Sequence, residues 1–161
     1  MDACMSTSSA TEREYFELQP GYWANWAIAS ILAAIAMGLV MQYVMGAMGA
    51  VGALYTVDSV GAGWFFHVWH SLVFAAIFGG LYVHRRIAPF RTRILSSIAL
   101  GIGWGVGLWL VAASIVMPLW LSVMGAGAPS PPAVDPWSGI AHVLWGGLLG
   151  GIGAALHKQL R

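Results

Sequence analysis

The side chains in this chain best suited to chemistry are five histidines: His67, His70, His84, His142 and His157. All lie in or at the ends of long apolar runs. In such surroundings an ionisable group costs several kcal/mol unless it is paired, ligated or facing water. Histidine is the least costly because its imidazole can stay neutral, and a neutral imidazole is a ligand for haem iron, copper and zinc. His70 and His84 are 14 residues apart, and His142 and His157 are 15 apart. On a helix these spacings leave each pair within about 40° and 60° of one face, with its members about 21 and 22 Å apart along the axis. Each helix would then carry one histidine near either surface of a bilayer. His67 and His70 share a face at i and i+3, whereas His67 lies about 100° away from His84.

The elements that would hold these residues follow from the composition. The chain is 59% hydrophobic and only 8% charged, with a net charge of +1, which excludes an ordinary soluble domain and gives no basis for nucleic-acid binding. Four stretches without Asp, Glu, Lys or Arg are long enough to cross a hydrocarbon core of about 30 Å. They run approximately over Trp23–Val44, Gly63–Val83, Ile94–Leu119 and Ser138–Leu156. Backbone polar groups in lipid must be satisfied within the segment, so all four are expected to be helices. The fold class is therefore all-α: an integral membrane, up-down four-helix bundle. Residues 1–21 form a polar tail, expected to be disordered, and residues 22–161 form the transmembrane domain. The tail's Cys4 has no second cysteine to pair with.

All seven cations fall on one side of such a bundle: Arg13, then Arg85, Arg86, Arg91 and Arg93, then Lys158 and Arg161. The two opposite loops, around 46–62 and 122–137, have none. The positive-inside rule places both termini in the cytoplasm of a cell whose plasma membrane the chain crosses. Tyr22, Trp23 and Trp26 at one level, and Trp64, Trp120 and Trp137 at the other, suit interfacial aromatic belts.

Val40-Met41 followed by Met48-Gly49-Ala50 recurs as Val116-Met117 followed by Met124-Gly125-Ala126, 76 residues on. Each half then has an aspartate (Asp58, Asp135), a span with histidine, and a Gly-Gly pair (Gly79-Gly80, Gly150-Gly151). The halves, about 22–86 and 94–161, read as two helical hairpins in parallel repeat. Asp58-Ser59 and Asp135-Pro136 stand where N-caps and first turns belong. Either aspartate has a second reading as a metal ligand or proton acceptor.

Spans two and four, HSLVFAAIFGGLYVHRR from His70 and HVLWGGLLGGIGAALHKQLR from His142, resemble in spacing and topology the dihaem four-helix bundle of cytochrome b from quinol-oxidising bc-type complexes. The resemblance implies that His70 and His142 ligate an outer haem b, and His84 and His157 an inner one. It also implies that Arg85, Arg86 and Lys158 meet the inner propionates, and that Gly38, Gly101, Gly103, Gly105 and Gly107 admit the haem edges. The function it implies is a small membrane b-type cytochrome, or haem-bearing subunit, passing electrons between a quinol pool and an outer-face carrier.

Two rival readings come from the residues themselves. In one, His67, His70 and His142, with Asp58 or Asp135, form an outer copper or zinc site. In the other, the chain is a structural or assembly subunit of a larger membrane complex or homo-oligomer. Its histidines then only hydrogen-bond, and its Gly-x-x-x-Gly faces at Gly101, Gly103, Gly105 and Gly107 dock helices. The methionines at 37, 41, 45 and 48 read as a packing stripe. Pro118 is expected to end or kink the third span. No nucleophile triad, phosphate loop or pair of buried carboxylates appears, so enzyme chemistry other than redox has no sequence support.

Overall fold

The computed structural model describes residues 20–158, with side chains as far as His157. Four helices are long and apolar enough to cross a membrane. They are α1 (Pro20–Tyr43), α3 (Val60–Tyr82), α4 (Ile94–Val123) and α5 (Pro136–Lys158), and a short helix α2 (Met48–Ala53) lies between the first two. The architecture is the expected all-α four-helix membrane bundle. The expected tail of residues 1–21 lies outside the described residues as far as residue 19, and α1 already begins at Pro20, a residue suited to the first turn.

The starts of the second and fourth spans are set by caps. Ser59 Oγ accepts the amide of Ala62 at 3.2 Å. Asp135 accepts the amides of Trp137 at 3.1 Å and Ser138 at 3.3 Å. Each supplies an acceptor to amides that a helix leaves unsatisfied. The peptide repeat, by contrast, falls on different local structures. Met48 opens α2, whereas Met124 lies past the end of α4 and is followed by Gly125 at φ +72°.

Pro118 neither ends nor breaks α4. Residues Trp109–Val116, just before it, relax into π-helical geometry. Proline has no N–H to give the carbonyl of Ser114, one turn back. The amide of Ala133 donates to that oxygen instead, at 2.8 Å, and pins the proline-rich loop across the bundle end. The Ser114 hydroxyl donates to the Trp109 carbonyl at 2.8 Å within the same widened turn.

Helix α1 packs between α3 and α5, and α5 packs against α4. The α4–α5 contact is backbone to backbone: a methyl group on Gly101 would overlap the Gly146 carbonyl, one on Gly105 the His142 carbonyl, and one on Gly150 the Ser97 carbonyl. Small residues allow this approach where the hydrophobic effect gives membrane helices little mutual attraction. Gly101 and Gly105 therefore serve helix contact, and Gly103 and Gly107 face open space. Helices α3 and α4 do not pack closely along their backbones. At the end carrying the arginine loop, side chains bridge them: Tyr82 OH and Ser97 Oγ lie 2.8 Å apart, and Phe78 meets Trp104 at 6.2 Å between centroids. In the other half the space between them widens into a cavity.

Candidate functional site

The cavity occupies the half of the bundle away from the arginine loop and has a volume of about 550 Å³. That lies within the range of sites for small organic ligands and cofactors, roughly 300–1,000 Å³. Its wall is largely apolar, and all three histidines of that half reach it: His67 and His70 from α3, His142 from α5. Asp135 also lines it, as do Met37, Met41 and Met45 from α1 and its exit, and Met117 from α4. The stripe read from sequence as packing thus faces a cavity at Met37, Met41 and Met45. Met48 is buried in the adjoining core.

Backbone carbonyls hold two of the rings. His67, only 6% exposed, places Nε2 3.0 Å from the Ala34 carbonyl of α1. His142, half-buried, places Nδ1 2.7 Å from the Ser138 carbonyl one turn back on its own helix. A carbonyl only accepts, so each of these nitrogens carries the proton, and in the neutral ring the other nitrogen keeps its lone pair. That leaves Nδ1 on His67 and Nε2 on His142 as ligand atoms. Metal-bound histidines are typically oriented in this way, by an N–H donated to a carbonyl. His70 differs, because its Nε2 is hydrogen-bonded to the hydroxyl of Tyr55 at 2.7 Å.

The floor of the cavity is a contact across the bundle in which Trp145 of α5 donates its indole N–H to Ser71 Oγ of α3, both side chains being buried. Its outer rim is drawn together by Trp120, whose indole N–H donates to the Leu54 carbonyl at 2.8 Å. Tyr55 sits on that rim, stacked on Phe66 with centroids 3.7 Å apart and planes 11° from parallel.

The Trp145–Ser71 bond, and Trp26 lying against both Gly79 and Gly153, set α3 and α5 in a register that leaves His70 and His142 about two residues, or roughly 3 Å, apart in depth. Among the described residues, no three His, Cys, Asp or Glu side chains converge so as to hold one metal ion. His67, His70 and His142 share the cavity without meeting at a point, because His67 is held to α1 and His142 to its own helix.

The structure treats the two histidines at the other end differently. His84 lies beyond the Val83 C-cap, is exposed, and accepts the Arg86 amide at 3.3 Å. His157 is buried, edge-on to Tyr22 at 5.4 Å and to Tyr82 at 6.3 Å. The bundle interior at this end is filled by Tyr22, Trp26, Phe78 and Tyr82, with Trp26 wedged against Gly79 and Gly153. Arg85 and Arg86 are exposed, and the Lys158 side chain lies outside the described residues.

Tyr55, Ser71 and Trp145 were not singled out by sequence. Tyr55 lies in a connection with no helical period, and the Ser71–Trp145 bond joins residues 74 positions apart. The comparisons add no relative: no family model, no curated protein and no solved structure matches this chain.

Proposed function

We propose that this protein is a membrane electron-transfer subunit that holds one b-type haem in the cavity, between imidazoles of α3 and α5. The observation that carries this reading is the size of the cavity together with the histidines on opposite helices facing it. A bare ion with its ligands needs only a small part of about 550 Å³, and a flat organic cofactor uses most of it. His142, with Nδ1–H on a carbonyl and Nε2 free, would hold the haem iron from α5. His70 would hold it from α3 through Nε2 once that atom is released by Tyr55. When bound, the haem would supply one-electron chemistry. The protein's part is to orient the imidazoles and to exclude water with Trp145, Phe74 and Leu108. The filled core at the arginine end and the exposure of His84 favour a single haem over the two that the resemblance implied. By the positive-inside rule the cavity faces the outer side of the plasma membrane, where an electron carrier could dock, with quinol in the bilayer as donor.

A second reading, a copper ion, draws support from Met37, Met41, Met45 and Met117 on the same wall. Thioether and imidazole together suit monovalent copper. The lack of Lys or Arg in the loops at 46–62 and 122–137, with Asp58 and Asp135 there, also favours a cation over the propionates of a haem.

A dithionite-reduced minus air-oxidised spectrum of detergent-purified, haem-supplied protein, with metal analysis of the same sample, separates the two. A sharp α-band with one iron per chain supports the haem. A featureless spectrum with one copper selects the second reading, and neither metal removes both, leaving the structural-subunit alternative.

A further inference from the structure

We propose that Tyr55 controls access to the cavity: its turn closes over the histidines, and the Tyr55–His70 hydrogen bond is the latch. This deepens the reading above and rests on it for the identity of the occupant, but not for the opening movement itself. Three features of the turn point to this role. The first is position. Tyr55 lines the cavity and is 41% exposed, so it stands between the histidines and the outer surface.

The second is chemistry. The Tyr55 hydroxyl lies 2.7 Å from His70 Nε2, the nitrogen that any occupant ligated or hydrogen-bonded through that atom would need. Occupant and tyrosine compete for one ring nitrogen, so loading the site through it requires the tyrosine to leave. The third is the backbone. Thr56, the next residue, has φ +63°, a left-handed conformation that is an outlier for a β-branched side chain. Its hydroxyl donates to the Tyr55 carbonyl at 2.6 Å, a local contact that helps hold the turn. The closed arrangement therefore sets an unfavourable backbone state at Thr56 against the Tyr55–His70 hydrogen bond, the Tyr55–Phe66 stack and the amides of Tyr55, Thr56 and Val57 donated to the Gly52 and Ala53 carbonyls. Release of the Tyr55 ring from His70 and Phe66 leaves the α2–α3 contact in place, because the close approach of Gly63 to the Met48 backbone joins these helices independently.

The latch is tested in full-length protein in which Cys4→Ser removes the native thiol and Ser71→Cys places one at the cavity floor. The rate of modification by a small, membrane-impermeant methanethiosulfonate is measured in reconstituted vesicles. Tyr55→Phe removes only the hydroxyl, and loss of a bond worth about 1 kcal/mol should speed labelling about fivefold. Thr56→Asn favours the left-handed state and so the closed turn, and should slow labelling. Opposite shifts establish the latch. Rates equal within twofold, or two shifts of the same sign, would overturn it, whatever the cavity binds. If the latch holds and the spectrum shows no haem, the occupant has to be reassigned and the gate stands.

Discussion

The two halves of this bundle are built from the same kinds of residue, and each contains buried histidine, yet one is filled and the other hollow. At the arginine end Trp26 lies in edge contact with Phe78 at 5.3 Å and with Tyr82 at 5.0 Å, and glycines on α3 and α5 make room for it. In the other half the corresponding volume is bordered by flexible methionines and small side chains, Ala50, Ala112 and Ala113 among them. A histidine in the filled half is one more packed ring. In the hollow half, histidines with fixed N–H partners have a space in front of them. What separates a structural imidazole from a candidate ligand here is therefore whether its neighbours fill the bundle, not its depth or spacing.

The largest expected effect comes from the contact common to both halves. Gly101→Leu drives a side chain into the α5 backbone and should cost about 3 kcal/mol or more, seen as loss of monodisperse protein in detergent gel filtration. Gly103→Leu, on the same helix but facing open space, should leave the elution profile unchanged.

Next comes the contrast itself. Trp26→Ala should cost about 3–5 kcal/mol, as large-to-small changes in packed cores do. Met41→Ala should cost less, about 2 kcal/mol, because its side chain already borders a space and gives up fewer contacts. Denaturant titrations of the two variants measure the difference, and equal losses would erase the distinction between the halves.

Filling the hollow half should separate stability from occupancy. Ala113→Leu extends a cavity-lining residue. It is expected to change stability by less than about 1 kcal/mol while abolishing cofactor uptake, read from metal per chain. Tyr22→Phe is expected to have a small effect. It removes a buried hydroxyl that donates to the Gly79 carbonyl at 2.6 Å and should cost about 1 kcal/mol in the same titrations.

The spans were legible because a charge-free run of about 20 residues leaves few alternatives to a membrane helix. Span starts at Gly63 and Ser138 become Val60 and Pro136 once the caps at Ser59 and Asp135 are seen in place. That His67, His70 and His142 fall in one half of the bundle was also foreseeable, from their places near the same end of their spans. Spacing alone could not tell that His84 falls beyond its helix, since Val83 caps α3 one residue earlier. Nor could it show a cavity, which depends on which side chains from three other helices meet at one depth. Trp26 fills its half only because Gly79 and Gly153, on two different helices, face it. Tyr55 was hidden for a related reason, since its turn places it against a histidine 15 residues away with no period to announce it.

The most direct test of the account is the iron content, with the reduced-minus-oxidised spectrum, of haem-supplied wild-type, His142→Ala and His84→Ala proteins. One haem per chain that is lost in His142→Ala and retained in His84→Ala is the predicted result. Two haems in the wild type, loss of the α-band in His84→Ala, or no haem in any of the three would contradict it.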